Sequence, residues 1–162
     1  TKIIKALPSS KNYNIKYSTA NGNLLIVVDG TVRTFYLAKN ISGNINLTEL
    51  SKDATDAFWS PNGKKVLFMN EKNIWTYDIE KEKVFQVIKD ADVKSAIWYM
   101  DEYHVGANVG GEYKVFEFDG GNPVAIGVSK SSQIFFSPEY RYLFYLGSVG
   151  KENDNLVIYS MR

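Results

Sequence analysis

Few residues of this chain are of types that carry out chemistry. There is one histidine, His104, and no cysteine, so disulfides and thiolate metal sites are excluded and a histidine metal site would have only carboxylates as further ligands. His104 is expected at the start of a strand on the rim of the fold. The glycine-rich stretches 107–111 and 147–150 lack the context of a phosphate-binding helix or a serine nucleophile turn. We therefore predict no catalytic residue, no metal site and no cofactor.

Charged residues gather at two places that are expected to be equivalent in the fold. Asp53 and Asp56 lie in the first, and Asp90, Asp92 and Lys94 lie in the second. Both are predicted loops, each leading from the last strand of one repeat unit of the chain to the first strand of the next. In the architecture predicted below, such loops surround one mouth of a central channel. Such carboxylates can hold a cation or bind a basic partner, but ordinary solvated loop charge is the commoner reason for such a cluster.

A third candidate binding element is the segment 151–155, which contains Asp154 and is predicted to lengthen the last hairpin. Long loops on a rigid scaffold often carry recognition, and they are also often tolerated insertions.

The elements that must position these charges follow from an internal repeat. Aromatic residues recur at intervals of 42, 39 and 38, and a second aromatic set recurs at 42, 39 and 43. The first set is Tyr17, Trp59, Trp98 and Phe136, and the second is Phe35, Tyr77, Phe116 and Tyr159. Because a period near 40 with strand-like content is typical of propeller blades, we predict an all-β fold, a β-propeller of four blade repeats.

The second repeat shows the expected blade most clearly. Strands are predicted at 57–59, 65–70, 74–79 and 84–88, with a Ser60-Pro61-Asn62-Gly63 turn between the first two. The other repeats follow it, which places blades at about 12–51, 55–89, 94–128 and 132–162 in one domain spanning 1–162.

The ends of the chain are predicted to complete each other. The fourth repeat lacks a last strand, and the segment 2–7 stands at the right distance before the first repeat to supply an outer strand. Pairing within one chain gives a four-bladed ring, whereas exchange between two chains gives an eight-bladed homodimer. A third alternative is that the chain is half of a longer propeller.

Composition excludes several classes of partner. The net charge of +1 offers no basic excess for nucleic acid, and no apolar run approaches the ~20 residues of a membrane span. No signal peptide opens the sequence, and its start at Thr1 suggests a mature or excised domain. The absence of cysteine does not indicate a compartment.

The segment 58–68, with its aromatic, Ser-Pro-Asn-Gly turn, basic residue and apolar strand, resembles the blades of TolB-like and WD-repeat-like bacterial propellers. Residues 74–79 resemble the strand that follows in that family, and 136–139 repeat the turn with Tyr140 at the glycine position. The resemblance implies a propeller scaffold in a bacterial, extracytoplasmic setting. It also implies a kinship with propellers that gate substrates in prolyl-oligopeptidase-like enzymes.

Three functions are therefore expected to compete. The first is a non-catalytic scaffold or recognition domain for a protein partner. The second is enzymatic, either a hydrolase or lyase with channel carboxylates or an accessory domain of a peptidase. The third is a purely structural unit of assembly.

Overall fold

A computed structural model describes residues 6–7, 9–10, 12–30, 32–41, 44–51, 53–99, 101–137, 139, 141–149 and 152–160. Within these ranges the chain is all-β, with fourteen strands and no helix, so no described helix can cross a membrane. The strands are β1 (Asn12–Tyr17), β2 (Leu24–Asp29), β3 (Arg33–Ile41), β4 (Asn44–Ser51), β5 (Asp56–Trp59), β6 (Lys65–Met69), β7 (Ile74–Asp78), β8 (Lys83–Ile88), β9 (Val93–Trp98), β10 (His104–Val109), β11 (Glu112–Glu117), β12 (Val124–Phe136), β13 (Tyr142–Val149) and β14 (Glu152–Ser160).

The strands form three antiparallel meanders in chain order. The first sheet is β1–β4, the second is β5–β8, and the third is a six-stranded sheet that runs from β9 to β14. The first two sheets coincide with the predicted units 12–51 and 55–89.

β12 runs without interruption through the boundary between the predicted units 94–128 and 132–162, and Tyr113 and Val115 on one side of that boundary pack against Leu143 and Tyr145 on the other. The pairing of β12 with β13 shifts between Ser129, opposite Gly147, and Ile134, opposite Tyr145. Residues 129–133 contain neither glycine nor proline, so the chain bulges here instead of turning. We call the part from 129 onward the terminal part of the third sheet.

The turns between the first two strands of each unit close with one shared backbone hydrogen bond. In the second sheet the Ser60 amide donates to the Lys65 carbonyl at 2.9 Å, and the Lys65 amide donates back to Ser60 Oγ at 2.9 Å. Gly63 has a φ of +70°, and a Cβ there would lie 2.4 Å from Ser18 Oγ. Ser137 accepts from the amides of Arg141 and Tyr142 in the same way. The predicted Ser-Pro turn therefore has a physical reason for its serine and its glycine.

Alternation along the strands gives every sheet two apolar faces. We call the face toward the preceding sheet the upstream face and the one toward the following sheet the downstream face. The first interface joins Leu25, Val27, Phe35 and Leu37 to Ala57, Val66, Phe68 and Tyr77. The second joins Leu67, Ile74, Val87 and Ile88 to Val93, Ala96, Trp98, Val105, Ala107 and Phe116. The core is thus a row of sheet-on-sheet contacts.

Two indole groups bind one sheet to the next. Trp59 Nε1–H donates to the carbonyl of Lys16 at 3.0 Å, and Trp98 Nε1–H donates to the carbonyl of Phe58 at 3.2 Å. Lys16 and Phe58 hold the same place in their strands, opposite Leu25 and Leu67 respectively. The same bond therefore recurs at two successive interfaces.

The register confirms the first aromatic set and corrects the second. Tyr17, Trp59, Trp98 and Phe136 each stand opposite the first apolar residue of the next strand. Tyr77, Phe116 and Tyr159 are likewise equivalent, but their counterpart in the first sheet is Ala38, opposite Leu24. Including Phe35 in this set was wrong, because the β2–β3 hairpin is three residues longer and places Phe35 on the downstream face.

The pairing of the two chain ends stays a prediction. Residues 2–5 of the expected strand 2–7 lie outside the described part, and Ala6 and Leu7 are not in a strand. Leu7 packs on the upstream face of the first sheet, near Ile26, Val28 and Ala38. Among the described strands, β14 pairs only with β13.

Replacing Trp98 by alanine should lower the free energy of unfolding by about 3–5 kcal/mol, since it opens a cavity at an interface where this side chain is 8% exposed. Urea denaturation measures the change. Tyr103→Ala, at an exposed aromatic, is the control and should stay within about 0.5 kcal/mol. A loss below about 1 kcal/mol for Trp98→Ala would contradict the packing.

Replacing Tyr113 by phenylalanine should stabilise the protein by about 1 kcal/mol at neutral pH. The Tyr113 hydroxyl is fully buried and has no hydrogen-bond partner among the described residues, and it lies over Gly106, where a Cβ would come within 1.9 Å of it. Lower stability of Tyr113→Phe at pH 7 would show that the hydroxyl is satisfied.

The same variant should change the pH dependence of unfolding. Burial raises the pKa of Tyr113 above its ordinary value, so the folded protein keeps a proton that the unfolded chain loses above about pH 10. Above about pH 10, the free energy of unfolding of the native protein should therefore fall by about 1.4 kcal/mol per pH unit because of Tyr113. Denaturation from pH 8 to 11 should show a shallower decline for Tyr113→Phe, and equal slopes would contradict the assignment.

Candidate functional site

The loops that connect successive sheets lie at one end of the structure. The hairpins between the second and third strands of each unit lie at the same end. The Thr55 amide donates to the Met69 carbonyl at 2.7 Å, the Ala91 amide to the Lys72 carbonyl at 3.0 Å, and the Gly110 amide to the Asp92 carbonyl at 2.8 Å. We call this end, built from 29–30, 32–33, 53–56, 70–73, 89–94 and 109–112, the charged mouth. Its loops are held by backbone hydrogen bonds, which fix the direction of the side chains they carry.

A cleft at the charged mouth, called the larger cleft because a second one at this end is smaller, has a volume of about 390 Å³. It is lined by Glu71, Lys72, Asp90, Ala91 and Asp92, so three carboxylates face one ammonium group. The loop is shaped by Asp90, which has a φ of +50° and whose amide donates to Asn73 Oδ1 at 3.2 Å.

Lys94 stands beside this cleft and is paired with one of its carboxylates. Lys94 Nζ lies 2.8 Å from Asp92 Oδ1, and this hydrogen bond raises the pKa of Lys94. Both side chains are more than half exposed, so the pair is open to exchange with other charged groups.

The smaller cleft, of about 220 Å³, lies between the first and second sheets. Lys16 Nζ donates to Asp56 Oδ1 and to the Ala57 carbonyl, both at 2.7 Å. Arg33 Nε donates to Asp29 Oδ1 at 2.6 Å, and Arg33 Nη1 donates to the Thr55 carbonyl at 2.8 Å. The hydrogen bond to Asp29 raises the pKa of Arg33. Two cations and two anions balance in this cleft.

The structure brings together some of the predicted site residues and separates others. Asp90, Asp92 and Lys94 share the larger cleft and its edge, and Asp56 lines the smaller one. Asp53 lines neither of these two clefts; its carboxylate accepts from Ser51 Oγ at 3.0 Å. The two charge groups therefore lie at equivalent loops but in separate clefts.

The segment 151–155 lengthens the last hairpin as predicted, but residues 152–155 do so as strand and not as loop. β14 already begins at Glu152 and pairs with β13 up to Val149, so the extra residues extend a hairpin. Residues 152–155 are all polar, which suits a strand that pairs on one side only. Asp154 lies inside this strand, and its side chain lies outside the described part.

Within the described ranges, no group of three or more His, Cys, Asp or Glu side chains is arranged to hold a metal ion. His104 begins β10 as predicted, with Nδ1 3.0 Å from Asp101 Oδ2. The chemistry that the charged mouth offers is ionic pairing and hydrogen bonding.

Sequence reasoning missed a buried ion pair at the opposite end of the second sheet. Lys65 Nζ lies 3.6 Å from Asp78 Oδ2, and both side chains are less than one-tenth exposed. The ammonium group also lies 4.8 Å from the centre of the Phe118 ring, on the third sheet. The β6–β7 pairing, in which Lys65 stands directly opposite Asp78, was a signal that could have found the pair.

Antiparallel sheets that stack face to face in chain order define a β-propeller. Solved propeller structures agree. A eukaryotic initiation factor is 14% identical, with a TM-score of 0.68 over 96% of this chain and 42% of that one. TolB from Acinetobacter baumannii is 19% identical, with a TM-score of 0.53 over 85% of this chain and 38% of that one. KlHsv2 is 15% identical, with a TM-score of 0.54 over 81% of this chain and 43% of that one.

The family within this class follows from the sequence. The family model described as the dipeptidyl peptidase IV (DPP IV) N-terminal region matches residues 10–100. This is more than half of the chain, so the chain belongs to that family. A search of the curated proteins finds no match. The chain spans less than half the length of the three solved structures named above, and at these identities the likeness shows the fold alone.

Breaking the buried pair from one side should be costly. Lys65→Met should lower the free energy of unfolding by about 3–5 kcal/mol, because it leaves Asp78 buried without its cation. Asp78→Asn should also destabilise, and the double variant should lose less than the sum of the two. Urea denaturation of the cycle measures the coupling, and additive losses would contradict a direct interaction.

Proposed function

We propose that this chain is a non-catalytic propeller domain that recognises a protein partner at the charged mouth, and that the recognised segment is basic. The observation that carries the proposal is the larger cleft, where the three carboxylates of Glu71, Asp90 and Asp92 outnumber the ammonium groups of Lys72 and of Lys94, which is paired with Asp92 at its edge. A Lys or Arg side chain entering this cleft would meet an excess of carboxylate oxygens.

The larger cleft is already formed before a partner binds. The loops that carry the carboxylates are tied to neighbouring loops through the amides of Ala91, Val93 and Gly110. Little backbone ordering is then needed when a partner binds, which reduces the entropic cost of association. The smaller cleft is balanced in charge and offers no comparable excess.

The test is binding of two fluorescein-labelled hexapeptides, one containing alternating Arg and Ser and one containing alternating Glu and Ser. Fluorescence anisotropy at low salt should show binding of the basic peptide alone. Glu71→Gln and Asp90→Asn should each weaken the affinity for the basic peptide about two- to fivefold, which is the contribution expected of an exposed ion pair.

The matched control is Glu80→Gln, which removes one exposed carboxylate at the opposite end of the second sheet. It should leave the affinity for the basic peptide unchanged. If Glu80→Gln weakened the affinity for the basic peptide as much, the effect would depend on net charge alone. Equal binding of both peptides would refute recognition at the cleft.

A second candidate is an accessory domain of a peptidase, and the family match over residues 10–100 favours it. On this account the charged mouth faces a catalytic domain or its substrate path. Failure of the isolated chain to bind either peptide supports this candidate over the first. Turnover of peptide substrates by the chain alone, abolished by Glu71→Gln, would favour a hydrolase over both.

A further inference from the structure

One side-chain amide joins the turn between β1 and β2 (18–23), which we call the first turn, to the turn between β5 and β6 (60–65), the second turn. Asn21 Nδ2 donates to the carbonyl of Gly63 at 2.6 Å. The two turns are in close contact, because a Cβ at Gly63 would lie 2.4 Å from Ser18 Oγ and 3.2 Å from Asn21 Nδ2. Asn21 therefore links the first sheet to the second at the end opposite the charged mouth.

Asn21 is followed by a glycine, which makes its side chain chemically labile. In an Asn-Gly sequence the backbone nitrogen of the glycine can attack Cγ of the asparagine, because the glycine has no side chain to obstruct the approach. The new N–C bond replaces the bond to the side-chain nitrogen, which leaves as ammonia together with the proton of the glycine amide. One water molecule then opens the cyclic imide to aspartate or isoaspartate, so the reaction needs no enzyme, oxidant or reductant.

The chain has two Asn-Gly sequences, Asn21-Gly22 and Asn62-Gly63, and their surroundings differ. Asn21 is exposed, and a Cβ at Gly22 would meet one described atom within 4 Å, the Tyr17 hydroxyl oxygen at 3.8 Å. Gly63 is buried, and a Cβ there would meet atoms of the first turn at 2.4–3.2 Å. The first turn thus has room for the cyclic imide, whereas the second turn is enclosed.

Hydrogen bonds add to this difference. Asn62 Oδ1 accepts from Ser60 Oγ and from the Lys64 amide, both at 3.0 Å. Asn21 Oδ1 accepts from the Asn23 amide alone among the described residues, at 3.0 Å. The amides of both glycines donate to backbone carbonyls, at 3.0 Å in the first turn and 2.9 Å in the second. Either turn must therefore open locally before its glycine nitrogen can react, and the second turn loses more contacts when it opens.

We propose that Asn21 is a site of spontaneous deamidation, and that the modification weakens the contact between the first two sheets. The carboxylate that forms has no N–H group, so an acceptor replaces the donor that faces the Gly63 carbonyl, and two oxygen acceptors then oppose each other. In the isoaspartate product the backbone of the first turn is also longer by one carbon atom. The inference is independent of recognition at the charged mouth, because both turns lie at the opposite end.

Ageing the full chain at mildly alkaline pH, followed by tryptic digestion and mass spectrometry, tests the site. Trypsin releases the two asparagines in separate peptides, 17–33 and 53–64. In the folded protein Asn21 should deamidate at least about tenfold faster than Asn62, because the second turn has an additional hydrogen bond and its packing to break. In the chain unfolded by urea the two rates should be similar. Equal rates in the folded protein, or conversion at Asn62 alone, would overturn the assignment. So would an Asn21 that stays unmodified while the unfolded chain converts.

Substitutions that carry the product test its effect on the contact between the sheets. Asn21→Asp should lower the midpoint of urea denaturation by roughly 0.5 M, since it removes one hydrogen bond and opposes two acceptors. Asn62→Asp is the matched control and should keep the native midpoint, because the hydrogen bonds of Asn62 are accepted by Oδ1, which aspartate retains.

Ageing of a protected variant completes the test. The midpoint of the native protein should fall with time in proportion to the modified fraction of Asn21. The midpoint of Asn21→Gln should stay constant, because glutamine forms the corresponding cyclic imide far more slowly. An unchanged midpoint for Asn21→Asp, or an equal decline of Asn21→Gln on ageing, would contradict the proposal.

Discussion

Each sheet of this protein has to bury both of its faces, because apolar side chains alternate on either side of its central strands. A single sheet cannot do so, and the solution is a stack in which the downstream face of one sheet packs on the upstream face of the next. Leu25 and Leu67 are fully buried for this reason. The indole groups of Trp59 and Trp98 add a directional bond to the non-directional packing and fix how far along its neighbour each sheet lies.

The same constraint organises the polar end of the molecule. Because successive sheets stack in register, their loops arrive side by side, and backbone hydrogen bonds such as Val93 N–H to the Glu71 carbonyl join them. The carboxylates of the larger cleft come from the β6–β7 loop of the second sheet and from its connection to the third. The fold therefore presents charge on a rigid frame, which is what the proposed recognition of a basic segment needs.

Much of this was predictable from spacing. The positions of Tyr17, Trp59, Trp98 and Phe136 gave the repeat, the strand order and the faces, because hairpins of similar length keep equivalent residues in step. Phe35 was misplaced where one hairpin is longer by three residues. The continuity of β12 was missed because a bulge leaves no glycine or proline as a signal.

The site was less predictable than the fold. The charged loops of Asp56 and Asp90 were identified, since loops are where charge collects, but their separation into a balanced and an acidic cleft depends on partners from other strands. Lys16 and Arg33 neutralise the smaller cleft, and both come from strands that lie more than twenty residues before Asp56 in the chain. The burial of Lys65 likewise depends on Phe118 of the next sheet, which no local pattern encodes.

Hydrogen exchange of the three tryptophan indole N–H groups, followed by nuclear magnetic resonance, tests the stacking most directly. The signals of Trp59 and Trp98 should exchange slowly, because each N–H is bonded to the preceding sheet. Trp75 stacks on Phe68 at 5.5 Å and makes no indole hydrogen bond within the described part of the chain, so its signal should exchange fastest. Exchange of Trp59 and Trp98 as rapid as that of Trp75 would contradict the sheet-on-sheet register on which the fold and the charged mouth depend.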